Sequence, residues 1–446
     1  MRLPVLALIG SVCLAASIGC GSNDAPATNG AGGSAATGGG GQNGGTAANT
    51  NGDGGKPNGG AGSAGAAGAV AGAGGSEVGG AAAGGASGRG GSGGSGGSGA
   101  GKLTGTPIVF VGGFGASYPV RAYTIDKASG ALTQRGGDFD AGTDPSYLAL
   151  DPSRTHLYAA NENDSADGGI TALAIDGTGA LTKLNHRSGS DKGFTYVAVD
   201  PSGKFVLGAS YNGGSVSIFS LGADGSIEPE LDNVDFGSSS QAHGIAFDKT
   251  GQYVLVPTKG ADAIQQLSLG QQNGMLSPNA PASVATAAGA GPRHIAVHPS
   301  GKLAFVANEL SSTLTPYQLS SDGKLTAGTS ISMLPPTFSG DGKAAHVELS
   351  PDGRFVYASS RGSNTIAVFA ADQATGALTL VEHEPTRGST PRDFDVDPNG
   401  DVLIVANQDS ATLSVYSIEE NGALSPLGTP TPSAPKPSAV QIHYVP

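Results

Sequence analysis

The sequence predicts an all-β fold for residues 106–446: a seven-bladed β-propeller of four-stranded antiparallel blades, following a disordered N-terminal tether. Three observations lead there. A tripartite pattern of apolar runs and turns recurs about every 49 residues. The two ends of this region carry complementary pieces of one repeat. The segment before it is Gly, Ala, Ser, Asn and Thr, almost without large apolar side chains.

Each repeat opens on an alternating apolar run, such as Tyr196-Val197-Ala198-Val199 or His294-Ile295-Ala296-Val297. A tight turn follows, as in Asp200-Pro201-Ser202-Gly203 and Ser350-Pro351-Asp352-Gly353. Proline presets φ for the turn and glycine takes the later left-handed position. A second run (Phe205-Val206-Leu207) and a third (Ser215-Val216-Ser217-Ile218-Phe219) come next. A hairpin glycine then leads to a fourth strand, at Gly130, Gly179, Gly225, Gly274, Gly323, Gly376 and Gly422. Four short antiparallel strands per repeat make one propeller blade.

The ends decide the blade count. Ile108-Val109-Phe110-Val111 matches a second strand with no first strand before it, and Pro437-Ser438-Ala439-Val440-Gln441 matches a first strand with no second after it. Paired in one blade, they close a ring of seven and remove its exposed edges. A parallel β-helix or two sandwiches would use similar strands, but neither explains these complementary ends. A closed ring of this kind is expected to be monomeric.

Residues 1–19 combine a basic start (Arg2) with the apolar run Leu3 to Ile18, too short and too soon interrupted for a good membrane-spanning helix. Ser17-Ile18-Gly19-Cys20 resembles the bacterial lipobox, with serine where leucine is usual. The resemblance implies lipidation of Cys20 and anchoring in the cell envelope; with no aspartate after Cys20, Gram-negative sorting favours the outer membrane. An ordinary secretory peptide cleaved nearby is the alternative. Residues 20–105 cannot bury enough surface to offset the entropy of ordering their backbone. As a Gly-rich coil this tether has an end-to-end distance on the order of 50 Å.

Only two cysteines occur, Cys13 and Cys20, so the propeller has neither a disulfide framework nor a thiolate metal site. The net charge is -13. Acids and bases cancel in the tether and Arg2 is the only charge before it, so the propeller carries all of this negative charge. It therefore repels nucleic acid and anionic lipid, and the membrane is reached only through the anchor. An anionic ligand would need a local basic pocket.

Up-and-down connectivity supplies a place for one. The Asp-Pro turns and the hairpin glycines share one face, which turn chemistry accounts for. On the other face, residues before first strands and after second strands ring the channel mouth. There stand His243, Arg293, His346 and Arg392 before first strands, with Glu162, Glu309, Arg361 and Gln408 after second strands. Asn161, Asn308 and Asn407 repeat at one position and read as blade-corner hydrogen bonders, while His186 and His298 read as satisfied or exposed. His243, Arg293, Glu309 and Arg361 form the candidate shared site.

These stretches resemble the propeller lactonases, which include 6-phosphogluconolactonase-type proteins and the fungal carboxymuconate lactonizing enzyme. The resemblance rests on Gly289-Ala290-Gly291-Pro292-Arg293-His294, Val306-Ala307-Asn308-Glu309-Leu310, Ser360-Arg361-Gly362 and Pro391-Arg392-Asp393-Phe394. It implies a lactone hydrolase with no metal and no cofactor, catalytic His243, Glu309, Arg293 and Arg361, and substrate contacts from Arg392, His346, Glu162 and Gln408. One departure stands out. Family members usually read Ala-Ala-Glu-Ile-His where this chain has Ala344-Ala345-His346-Val347-Glu348.

The chemistry fits a small lactone or sugar acid. Arg293 or Arg361 suits a developing oxyanion, and His243 or Glu309 suits water activation. Arginine forks equally hold a carboxylate or phosphate. The competing expectation is a non-catalytic propeller whose mouth only binds a ligand or partner.

Overall fold

The computed structural model describes residues 102–115, 119–165, 168–433 and 435–446. The expected signal peptide, Cys20 and nearly all of the expected tether lie outside the described residues. Seven antiparallel sheets follow the predicted order, and each blade but the last is built from consecutive strands. In blade 1 these are Pro145–Leu150, His156–Asn161, Gly169–Ile175 and Leu181–Arg187.

Inner strands of blades 2 to 6 begin at Phe194, Ala246, Pro292, Ala344 and Pro391. In blade 3 the regular inner strand shrinks to Ala246–Phe247, and the fourth strand of blade 4 divides into Leu325–Ala327 and Ile331–Ser332. Blade 7 joins the ends: Pro437–Val445 pairs with Thr106–Gly113, Ile108 opposite His443 and Phe110 opposite Gln441. Val120–Asp126 and Ala131–Phe139 complete that sheet.

The second strands are buried almost throughout because both of their faces meet neighbouring blades. Val206, Leu207, Phe305, Val306, Val405 and Ala406 are fully enclosed. Tyrosines on second strands satisfy their hydroxyls across blades: Tyr158 donates to Gly225 O at 2.8 Å and Tyr357 to Gly422 O at 3.1 Å. The turns behave as their residues require. Asp200 Oδ1 accepts the N–H groups of Lys204 and Phe205, each at 2.7 Å, and Gly203 has φ 71°. Blade 1 has Arg154 at the equivalent place, also left-handed at φ 60°. Its Nη2 donates to Ile442 O at 2.6 Å, which gives that strained residue a structural partner.

Ring closure has its own clamps. Asp393 Oδ2 accepts the Val440 N–H at 2.9 Å, and Asp395 Oδ2 accepts the Ile442 N–H at 2.5 Å. Tyr444 donates its hydroxyl to Asp397 Oδ1 at 2.7 Å. Two carboxylates on one strand and a third just past its end, spaced by two residues, thus grip the chain's last strand, as the period of a strand dictates. One blade earlier, Glu348 Oε2 accepts the Val396 N–H at 2.9 Å.

Burial, partly offset by the Val440 N–H, lifts the Asp393 carboxyl to about 8. Burial likewise raises Asp395, and burial together with Asp395 raises Glu348. Their folded pKa values exceed the unfolded ones, so the folded chain binds more protons between about pH 4 and pH 8. The stability this confers is fully present below that window and is lost as pH rises through it. Asp395→Asn keeps an acceptor for Ile442 and removes the charge. Urea unfolding should therefore show a flatter decline in stability between about pH 5 and pH 8. Asp395→Ala should lose about 1–3 kcal/mol at either pH, because the Ile442 N–H is left unpaired. An undiminished pH slope in the asparagine variant would contradict this account.

Candidate active site

The upper mouth is built by one local device repeated around the ring. The ladder of blade 4 pairs Pro292 with Asn308 and then His294 with Ala307, leaving Arg293 as the extra residue of a β-bulge. Blade 6 does the same between Pro391 and Asp393, bulging Arg392. Ser146 and Thr195 occupy that place in blades 1 and 2. A bulge bends its strand and re-aims a side chain. Arg293 and Arg392 therefore lie inside their inner strands, not before them as the run lengths suggest. In blade 3 the backbone holds only an isolated bridge from Ala242 to Thr258, and His243 follows it.

A second ring follows the second strands. The residues immediately after them are Glu162, Tyr211, Lys259, Glu309, Arg361, Gln408 and, in the closing blade, Phe114. Lys259 and Tyr211 were not among the sequence candidates, although the repeat position that singled out Glu309 and Arg361 also marks them.

Glu309 is the hub. Its Oε1 meets Lys259 Nζ at 2.7 Å, and its Oε2 meets Arg293 Nε at 3.2 Å and Arg361 Nη2 at 3.1 Å. Lys259 also donates to the Tyr211 hydroxyl at 3.3 Å, and the Tyr211 ring packs edge-on to His243 with centroids 5.4 Å apart. Burial opposes the Glu309 charge, but Arg361, Arg293, His243 and Lys259 outweigh it and hold the carboxylate well below its usual range. His243 goes the other way. Burial first, then Arg293, hold its imidazole neutral well below its ordinary value, and its Nδ1 has no hydrogen-bond partner among the described residues.

Arg293 is 3% exposed and fixed from three sides. Besides Glu309, its Nη1 reaches Ala345 O at 2.5 Å and His294 Nε2 at 3.1 Å. A guanidinium only donates, so His294 Nε2 must be the bare nitrogen and Nδ1 carries the proton. That proton faces His346 Nδ1 at 2.8 Å, which fixes the second ring as the Nε2–H tautomer. Burial and Arg293 keep both rings neutral, His346 down to about 3. His346 is thus placed beneath the mouth, against His294 and 3.4 Å from Asp393 Oδ1, while Glu348 lies further along the strand, with its Oε2 on the Val396 N–H. The reversed His and Glu of this chain supply an acceptor for His294 and a blade clamp.

A second acid–base pair comes from blades 1 and 6. Glu162 Oε2 lies 3.6 Å from Arg392 Nη2, and the Arg392 guanidinium stacks 4.8 Å from the Phe114 ring centroid. Gln408 does not join either cluster by a hydrogen bond; its side-chain amide donates to Asp409 Oδ1 at 3.1 Å. The repeated asparagines are corner residues. Asn161 Nδ2 donates to Ala141 O and Thr143 O, and Asn407 Nδ2 to Thr386 O. His298 is satisfied in its turn by Ser300 and Gly353.

A family model described as "Lactonase, 7-bladed beta-propeller" matches residues 108–442. A 6-phosphogluconolactonase of Pectobacterium carotovorum is 35% identical over 284 residues, 63% of this chain and 82% of that protein. The Bacillus subtilis 6-phosphogluconolactonase is 32% identical over 343 residues, 74% of this chain and 96% of that protein. Among solved structures, the periplasmic gluconolactonase of Pseudomonas aeruginosa superposes with a TM-score of 0.71 at 28% identity, covering 76% of this chain and all of that one.

The tautomers forced by Arg293 are measurable. Nitrogen-15 NMR of the histidine rings should show His294 protonated on Nδ1 alone and His346 on Nε2 alone, unchanged from about pH 8 to pH 5. An imidazolium at either position within that range would break the chain of donors described here.

Proposed function

The chain belongs to the seven-bladed β-propeller lactonases, a family of lactone hydrolases, and on that premise we propose that its upper mouth opens a sugar-derived lactone outside the cytoplasm. The observation that carries this is the Glu309 hub. One carboxylate holds two arginines and a lysine together at the rim of a channel, beside a neutral imidazole. Arg293, Arg361, Arg392 and Lys259 outnumber Glu309 and Glu162, so a domain that is acidic overall presents a cationic mouth. Such a mouth focuses a polyhydroxy acid lactone and its carbonyl dipole.

The reaction follows from those roles. Water gives a proton to His243 as its oxygen attacks the lactone carbonyl carbon, and the carbonyl oxygen becomes an oxyanion facing Arg293 and Arg361. The tetrahedral intermediate collapses, the ring C–O bond breaks, and the ring oxygen takes up a proton to become a hydroxyl. Glu309, with both oxygens engaged by cations, serves to hold those cations in place rather than to accept a proton. The names of the relatives, 6-phosphogluconolactonase and gluconolactonase, support a six-carbon aldonolactone with or without a phosphate.

Export and anchoring belong to this reading. The apolar run to Ile18, the Gly19-Cys20 junction and the long Gly-rich segment support a lipid-anchored enzyme on a tether, and a solved relative named as periplasmic supports export alone.

The hydrolase reading is tested by following acid release from glucono-δ-lactone, 6-phosphoglucono-δ-lactone and dihydrocoumarin with the purified chain. Turnover is expected, with Arg361→Ala lowering kcat about 100- to 1,000-fold and His243→Ala lowering it comparably. Retained binding of gluconate or 6-phosphogluconate without turnover of any of the three would instead make the mouth a binding site. For the anchor, a radiolabelled fatty acid fed to expressing cells should appear in the protein and vanish in Cys20→Ala; label persisting in that variant refutes lipidation at Cys20.

A further inference from the structure

Glu162 is the group that the roles above leave unused, and its surroundings differ from those of every other carboxylate at the mouth. Its side chain is 7% exposed. Neither of its oxygens meets full hydrogen-bond geometry with a described residue, and the Ser146 hydroxyl of its own blade is the one neutral side-chain donor near enough to favour its charge. Arg392 Nη2, at 3.6 Å, is beyond hydrogen-bond range. An ionised carboxylate enclosed this way is costly, whereas the neutral acid is far less so and offers an O–H to whatever oxygen enters the site. Glu309, across the mouth in blade 4, has the reverse environment, with three cations on its two oxygens.

We propose that Glu162 is the general acid of the lactonase reaction: its carboxyl O–H protonates the ring oxygen as the ring C–O bond breaks. The inference rests on the hydrolase reading and deepens it. His243 takes a proton from the attacking water, the oxyanion forms against Arg293 and Arg361, and collapse expels the ring oxygen. That oxygen would leave as an alkoxide, a poor leaving group, and the Glu162 proton converts it to an alcohol. The new carboxylic acid, more acidic than a buried glutamic acid, returns a proton to Glu162, and His243 releases its own to solvent. One water is consumed and one proton is released per lactone, as the overall reaction requires. Two carboxyl groups given opposite environments around one substrate are the usual arrangement for dividing acid work from charge stabilisation.

The groups facing Glu162 bear on its proton. Burial raises its pKa, and Asp144 beside the start of blade 1 adds to this, while Arg392 from blade 6, Ser146 from its own blade and Arg293 from blade 4 oppose it. A general acid must be protonated to act, so kcat/KM falls as pH rises through the pKa of Glu162.

Three proteins decide the matter: the parent chain, Glu162→Gln and Glu162→Asp. Acid release from glucono-δ-lactone and dihydrocoumarin is measured from about pH 5 to pH 9, with thermal unfolding to confirm folding. Glutamine cannot donate the proton. On the sugar lactone it should lower kcat about 100- to 10,000-fold and abolish the fall at high pH. Dihydrocoumarin expels a phenolate that leaves without help, so its loss should be within about tenfold. Aspartate should restore part of the sugar-lactone rate and the alkaline fall. If glutamine weakens both substrates equally, keeps the alkaline fall or raises only KM, then Glu162 merely orients Arg392 and the proposal is overturned. Infrared spectroscopy gives a reading independent of turnover: a protonated-carboxyl band near neutral pH in the parent-minus-Glu162→Gln difference spectrum, where the buried Asp393, Asp395 and Glu348 carboxyls common to both proteins cancel. With that band present and no lactone opened by the parent chain, the hydrolase reading fails while the assignment of the proton stands. A folded parent chain without the band overturns the general-acid proposal by itself.

Discussion

Ring closure is the constraint on which the rest of the structure depends. Seven sheets arranged around an axis leave two free edges unless the last strand of the chain pairs with the first. Pairing Pro437–Val445 with Thr106–Gly113 removes both edges and fixes the register of the whole ring. The grip on that strand comes from both sides: Asp393 and Asp395 of blade 6 take the N–H groups of Val440 and Ile442, and Arg154 of blade 1 donates to the carbonyl of Ile442. Carboxylates buried to do this resist ionisation, so the seam trades alkaline stability for backbone satisfaction.

Closure also fixes where chemistry can be placed. The ladder near the start of the inner strand absorbs one extra residue in blades 1, 2, 4 and 6, small in the first two and arginine in the others. The bulges at Arg293 and Arg392 do this with one residue each. Proline at the first position of both strands fits, since a strand's first residue tolerates the lost N–H donor. Glu309 and Arg361 reach the same mouth from the next strand out, just beyond its end. Blades 3, 4 and 5 therefore meet at Glu309 without a long loop among its partners, and precision comes from rigid sheet rather than from loop packing.

Most of the fold was legible because its signals are local and repeated. Period-two runs, Asp-Pro turns and hairpin glycines recur often enough to give strand order, and the unmatched ends gave closure. The site was legible by position more than by residue type. Sorting the repeat into two faces brought out His243, Arg293, Glu309 and Arg361, but Lys259 occupies an equivalent place and was passed over, and Tyr211 at that position was given no role. Bulges could not be read, because one extra residue in a ladder leaves no mark on the alternation of a short apolar run. Gln408 holds a ring position, and its amide turns to Asp409. The exchange of His346 and Glu348 is a departure from the usual family order whose consequence the sequence does not show. Only the distance to His294 and the Val396 N–H shows that both remain engaged, in structural work below the mouth.

Charge at the mouth is set by partners rather than by the acidity of the domain. Glu309 and Glu162 are the same residue type at the same repeat position in two blades. One sits among Lys259, Arg293 and Arg361 and is held ionised; the other is enclosed with Arg392 just out of hydrogen-bond range and holds its proton more tightly. The difference arises because blade 3 places a lysine and blade 5 an arginine on either side of Glu309, whereas Glu162 has Phe114 and Tyr211 as its neighbours in the ring. Flanking residues of the repeat, rather than the glutamates themselves, divide the two carboxyl groups between charge stabilisation and proton supply. A seven-fold scaffold thereby acquires a one-sided site from a handful of substitutions at one equivalent position.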